Sequence, residues 1–246
     1  MNARHLLLGF ALLLGLTPGA AAADLSGRTV VLDPGHNGGN WTHATKINRQ
    51  VWAGNVWKAC DTFGARTVND YREAEHNWDV ALRMRQILEA EGARVILTRS
   101  SNTGVGPCIT RRAGIGNRAR ADAAISLHAD GVNSNLATGF HVILPAPVAR
   151  QTARMRAASR RLGTAIRDAL RDGGPTAVSN YQGTDGLIAR RDLGGLNLSK
   201  VPKVFVEIGN MRAPHDAAII GSPEGRQQEA EAIVVGITRF LLSRRA

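Results

Sequence analysis

Residues 29–36 read Thr-Val-Val-Leu-Asp-Pro-Gly-His (TVVLDPGH). Thr29–Leu32 is a short, mostly apolar and β-branched run, the pattern of a buried strand. Asp33-Pro34-Gly35 stops it, and His36 follows at once. The arrangement recurs twice: Ala124-Ile-Ser-Leu leads to His128, and Lys203-Val-Phe-Val leads to Glu207. In a mostly parallel α/β sheet, ligands bind outside the carboxyl ends of the strands. His36, His128 and Glu207 are therefore expected just past three strand ends, on one edge of one sheet. Two histidines with a carboxylate form a donor set that a catalytic zinc accepts, leaving a fourth position for water.

Working outward, strand-like runs alternate with helical stretches, which argues for α/β layering in a single domain. The helical periodicity predicts a helix over 75–91, with Val80, Ala81, Met84, Ile87 and Leu88 inward and Gly92 at its end. Further helices are expected at 111–120, 151–171 and 225–242, and strands at 94–98, 123–127, 139–144 and 203–206. Glu73, Glu75 and His76 gather at the start of the first long helix, beside the same sheet edge. On spacing alone, each of the three is a candidate third ligand. Acidic residues there are also what the helix dipole favours.

The segment 38–72 is long, mostly polar, and carries Trp41, Trp52 and Trp57, three of the four tryptophans. A loop of that length is functional or disordered, and its aromatics and Cys60 favour an ordered flap. It leaves from the His36 turn and returns to Glu73, so Trp52 and Trp57 are candidate substrate contacts.

Residues 1–23 read as a secretory signal peptide: Arg4, an apolar run over Leu6–Leu16, and Ala21-Ala22-Ala23 before the cleavage point. That run is too short to span a bilayer, which needs ~20 apolar residues, so no stable membrane insertion is expected of residues 24–246. In an exported chain, the two cysteines, Cys60 and Cys108, are expected to pair. The formal net charge is +11, and removing the leader takes away only Arg4. Such a basic exported protein calls for an acidic partner. The candidates are nucleic acid, anionic lipid and the anionic polymers of a cell wall. No nucleic-acid-binding motif is present, and export favours the wall, against a plainer reading in which an Arg-rich surface only keeps the protein soluble.

The set Leu32–His36, Glu73 with Asn77 four residues on, Asn117–Ala129 (NRARADAAISLHA) and Pro202–Gly209 (PKVFVEIG) resembles the zinc-dependent N-acetylmuramoyl-L-alanine amidases. The match keeps the motif order over nearly the whole chain. The resemblance implies an α/β fold with a mainly parallel, six-stranded sheet flanked by helices. It implies that His36, Glu73 and His128 bind one zinc per chain, with Glu207 as the catalytic carboxylate. It implies hydrolysis of the amide between N-acetylmuramic acid and L-alanine, in peptidoglycan or muropeptide fragments, by a monomer in the periplasm or cell wall. Arg111 and Arg112 resemble an arginine that precedes the family's Ala-Asn element; Arg112 is thus a candidate substrate contact, against a plainer reading of both as exposed helix charges. The chain departs from the family in the length between His36 and Glu73 and in Ile208-Gly209-Asn210 after Glu207. It is similar to the stand-alone actinobacterial members. Competing readings are a zinc hydrolase of another amide, a non-catalytic wall-binding protein, and a charge-driven nucleic-acid binder.

Overall fold

The computed structural model describes residues 23–148 and 150–244, the side chains of 150–154 excepted. The expected leader thus lies outside the described residues, but for its last position.

The central sheet has six strands: β1 (Thr29–Pro34), β4 (Arg94–Leu97), β5 (Ala123–Asp130), β6 (His141–Pro145), β7 (Leu187–Arg190) and β8 (Lys203–Asn210). Their order is β4-β1-β5-β8-β6-β7. Every pairing is parallel except β6 against β8, as the expected class requires. The helices are α1 (Ala44–Ile47), α2 (Glu73–Ala90), α3 (Ile109–Ala119), α4 (Arg150–Gly173), α5 (Gly194–Asn197), α6 (Pro214–Gly221) and α7 (Pro223–Leu242). The segment 38–72 is ordered and contains a two-stranded hairpin, β2 (Gln50–Trp52) and β3 (Trp57–Ala59). Neither this hairpin nor β7 was expected, because three- and four-residue strands carry too little periodicity to read.

Strand alternation divides the sheet into two faces with different work. Val30 and Leu32, Ile125 and Leu127, and Val204, Val206 and Ile208 point to one face. There α2, α4 and α7 close the main core with Met84, Leu88, Leu162, Ile166, Leu170, Ile233, Ile237 and Phe240. The opposite face carries Val31 and Ala124 against α3, and Ile143 and Phe205 against α5. Ser126 and His128 on β5, and Lys203 and Glu207 on β8, share the parity of that second face. The apolar pattern thus secures the strands from one side and leaves the other free for polar chemistry.

Helix starts follow local chemistry. The Ser222 hydroxyl accepts from the Gly225 N–H at 2.9 Å, and Pro223 occupies the first turn of α7. Glu73 and Glu75 lie in the first turn of α2. Among the described residues, no helix is long and apolar enough to cross a membrane.

Candidate active site

β1, β5 and β8 are neighbours in the middle of the sheet, so their carboxyl ends converge. His36 lies just past β1. His128 and Glu207 lie within the last residues of β5 and β8, which run three and four residues beyond their expected ends. The cross-strand hydrogen bonds continue through these positions because Ala129, Ile208 and Asn210 are buried too. His128 and Glu207 are register partners, and the register shifts between His128 and Asp130. Such irregularities re-aim side chains near functional sites.

The Nε2 of His36 lies 3.1 Å from the Oε1 of Glu73. The Nδ1 of His128 lies 2.9 Å from the same oxygen. One donor atom from each of these three residues falls within 4.8 Å of the others, a cluster that could hold a metal ion. The other nitrogen of His36, Nδ1, faces the Thr62 carbonyl at 3.1 Å and Asp61 at 3.3 Å. A carbonyl only accepts, so it orients the ring with Nδ1–H outward and Nε2 toward the cluster, the usual supporting arrangement of a ligating histidine. Glu73 is buried. Its Oε2 accepts from the Ala65 N–H at 2.7 Å, and its Oε1 from Ala129 N–H at 3.2 Å and Asn77 Nδ2 at 3.4 Å. Burial opposes ionisation of Glu73, but His36 and His128 hold its carboxyl well below the usual range. Burial likewise lowers His36, yet Glu73 and Asp61 outweigh it and lift the imidazole to about 10. A metal bound here therefore displaces a proton.

At two positions beside the cluster the backbone leaves room only for glycine. A Cβ on Gly35 would meet the His128 ring at 2.3 Å, and one on Gly64, at φ +81°, would meet the His36 ring at 2.8 Å. His36 itself has φ +58°, an uncommon conformation for a side chain of this size. Arg112 holds that turn: its Nη1 donates to the Pro34 carbonyl at 2.8 Å and its Nη2 to the His36 carbonyl at 2.7 Å. Arg112 also meets Asp33 at 2.9 Å, and Asp33 receives Lys203 at 2.7 Å, Thr98 at 2.7 Å and Ser126 at 2.9 Å. Burial of Asp33 is overcome by Lys203 and Arg112, which keep it ionised far below the usual range.

Two expectations are corrected by this geometry. Arg112 is neither an exposed helix charge nor a free substrate contact: it is 4% exposed, and its donors are spent on protein acceptors. Arg111 is exposed, as expected. Of the rivals to Glu73, Glu75 points to solvent. His76 is fully buried and pairs with Glu229 of α7 at 2.8 Å; its other ring nitrogen faces Asn77 Oδ1 at 3.1 Å, so both nitrogens are engaged outside the cluster.

Glu207 shares a cleft of about 870 Å³ with His36, Glu73 and His128. Burial, then the negative charges of Asp130 and Glu73, raise its carboxyl well above the usual range, as suits a proton-transfer group. Sequence reading missed Phe205, stacked on His128 at 5.1 Å, although its period-two spacing from Glu207 would have placed it there. It also missed Asp61 and Thr62, which no pattern marks. Cys60 and Cys108 are bonded, fixing Asp61 and Thr62 behind His36. The flap contributes Trp41 and Phe63 to the cleft, stacked at 5.3 Å. Trp52 and Trp57 lie outside that lining, paired across the hairpin at 5.7 Å and 47% and 63% exposed. Asn210 instead donates to the Val132, Ser134 and Ala137 carbonyls, holding the loop after β5.

A family model described as N-acetylmuramoyl-L-alanine amidase matches residues 30–239. The Mycobacterium tuberculosis N-acetylmuramoyl-L-alanine amidase Rv3717 is 41% identical over 223 residues, 90% of each chain. Crystal structures of the amidase Ami1 superimpose closely. That from Mycobacterium smegmatis has a TM-score of 0.82 at 39% identity, over 90% of this chain and 100% of the other. That from Mycobacterium abscessus has a TM-score of 0.81 at 42% identity, over 88% and 100%.

Proposed function

Because the chain belongs to the N-acetylmuramoyl-L-alanine amidase family, we propose that it hydrolyses the amide between N-acetylmuramic acid and L-alanine with a zinc ion held by His36, Glu73 and His128. The observation that carries this reading is the convergence of those three donors within 4.8 Å, in the cleft that also holds Glu207. Two imidazoles and one carboxylate suit zinc, and they leave a position open toward the cleft. When bound there, zinc supplies Lewis acidity that polarises the scissile carbonyl and lowers the pKa of an adjoining water toward ~7.

The chain's own residues do the rest. Glu207 takes the proton from the attacking water and returns it to the departing L-alanine nitrogen. Its raised proton affinity suits a group that must first accept and then release a proton. Phe205, flat against His128, fixes the imidazole plane and keeps water from that side. Asp61 and the Thr62 carbonyl fix the His36 tautomer. Arg212, which makes no ion pair among the described residues, brings positive charge to the cleft, which suits the carboxylates of a stem peptide.

The expected leader, the Cys60–Cys108 bond and the basic composition support action outside the cytoplasm, in the wall. The decisive experiment is mass spectrometry of muramyl dipeptide after incubation with the protein, with and without a chelator. Release of L-alanyl-D-isoglutamine that stops on chelation and returns with zinc is expected. Cleavage elsewhere in the molecule, or full activity in chelated protein, would overturn the proposal.

A further inference from the structure

A second groove lies between α2 and α3, over the edge strand β4. Its volume is about 1020 Å³, larger than the cleft, and no residue lines both. The disulfide-bearing segment divides them: Ala59 and Asp61 line the cleft, whereas Cys60 and Cys108 line the groove. Lys46, Arg49, Arg85 and Arg111 reach it from α1, the turn after α1, α2 and α3. Glu89 is its single acidic lining residue.

These cations lack ion-pair partners. Several arginines elsewhere are paired, Arg66 with Asp70, Arg83 and Arg226 with Asp79, Arg190 with Asp192; what sets the groove apart is that its unpaired cations line one concavity. Among the described residues, Lys46, Arg49, Arg85 and Arg111 have no carboxylate within ion-pair distance; Arg49 makes only a 3.3 Å contact with the Cys108 sulfur. Arg99 is the fifth cation there, but it is buried and spends its donors on Pro34, Ala74, Ser101 and Asn102. It braces the wall of the groove and packs on Trp78 at 4.8 Å. Four like charges left unpaired around one concavity form a standing positive potential that an anion relieves.

We propose that this groove binds a phosphodiester-linked anionic polymer attached to peptidoglycan. The four cations come from four different segments of the chain, a set suited to a polymer that presents a repeat of anions. The site is a concavity of about 1020 Å³, a shape that suits an extended chain better than a flat lipid surface. Trp78 also lines the groove, and indoles pack well against the sugar units of such a polymer. The polyanion chemistry stands on the groove alone; attachment to peptidoglycan rests on the amidase reading. The groove and the cleft flank one short segment, so a polymer held in the groove raises the effective concentration of the glycan strand that bears it.

The test is co-sedimentation of the purified chain, during a short incubation on ice, with two walls. One is insoluble wall carrying phosphodiester-linked polymers; the other is the same wall stripped with hydrofluoric acid, which cleaves phosphodiesters and leaves peptidoglycan. Binding to the intact wall should exceed binding to the stripped wall at least tenfold. It should weaken on the order of 50- to 100-fold between 50 and 200 mM NaCl if four cations engage. The triple variant Arg49→Glu/Arg85→Glu/Arg111→Glu should lose that preference and most of the salt dependence. Its thermal midpoint and its kcat/KM on soluble muramyl dipeptide should match the parent, and Arg85→Gln/Arg111→Gln serves if the triple variant unfolds. Equal binding to both walls, or undiminished binding by the variants, would overturn the proposal. So would equal or tighter binding of single-stranded DNA or phosphatidylglycerol vesicles at matched phosphate. Failure to cleave muramyl dipeptide would count against the amidase reading and leave the binding comparison intact.

Discussion

Glu207 and His128 are register partners in the parallel pairing of β5 and β8, with their side chains on the face of the sheet away from the main core. The proposed proton-transfer group and a metal-ligand candidate are thus held by backbone hydrogen bonds at a fixed spacing, the ~4.8 Å between neighbouring strands. Strand placement gives more positional precision than loops do, and proton transfer depends on that precision.

Glu207→Gln should abolish hydrolysis while zinc stays bound. The amide keeps the shape but takes no proton, and a general base is worth typically ~10²–10⁴-fold in rate. Turnover of muramyl dipeptide alongside metal analysis reads both quantities. A variant that loses its zinc would make Glu207 a ligand instead.

Glu73→Gln should do the reverse. Glu73 lies against His36 and His128, and neutralising it removes the charge that favours a cation. Zinc content after dialysis should fall sharply, whereas Glu75→Gln, at an exposed position, should retain a full equivalent. Equal zinc in both variants would refute the ligand assignment.

The His76–Glu229 pair joins α2 to α7 in the core, and it should make stability depend on pH. Burial lowers His76, but the charge of Glu229 raises its pKa above the ordinary 6.5. A raised folded pKa means that the pair's contribution is fully present below pH 6.5 and is lost as pH climbs through the folded value. Glu229→Gln leaves His76 buried without its counter-charge, which costs about 3–5 kcal/mol. Urea unfolding should show that penalty at pH 6 and a smaller one at pH 9. A penalty that does not vary with pH would rule out an ionised pair.

Reducing the Cys60–Cys108 bond should destabilise the chain by about 4 kcal/mol on the chain-entropy account, given the sequence separation of 48. Because the bridge also holds Asp61 and Thr62 behind His36, zinc affinity should drop with it. Unchanged zinc affinity in reduced, folded protein would separate the bridge from the metal site.

Trp52 and Trp57 are exposed, so Trp57→Ala should barely move the melting temperature. If the pair contacts glycan, KM on polymeric peptidoglycan rises while kinetics on muramyl dipeptide stay the same. A fall of several degrees in melting temperature with no change in KM would make the hairpin tip purely structural.

Much of this protein was legible without coordinates because its strands are buried and its long helices amphipathic. Hydrophobic periodicity reports burial directly, and burial is what selects Val30, Ile125 and Val204 for one face and Met84, Leu162 and Ile233 for the helices against it. Polar residues that interrupt such runs at their carboxyl ends, His36, His128 and Glu207, had few places to go but the edge where ligands bind. The choice of Glu73 over Glu75 and His76 came from resemblance, since all three share one helix start and local spacing does not rank them.

Other features depended on the tertiary structure because they are contacts between residues distant in the chain. Arg112 reads as one more helix charge until Asp33, 79 positions away, and the His36 carbonyl are found around it. His76 looks like a ligand until Glu229, 153 positions away, neutralises it inside the core. The side chain of Lys203 is buried because Asp33 lies two strands over. The sequence by itself determined the layering, the strand ends and the residues able to do chemistry, since those follow from local hydrophobicity and turn stereochemistry. Which charges would be buried in pairs, which would brace the His36 turn and which would stand unpaired in the α2–α3 groove was decided only by folding. The energy of a buried charge is set by the partner that the fold brings to it.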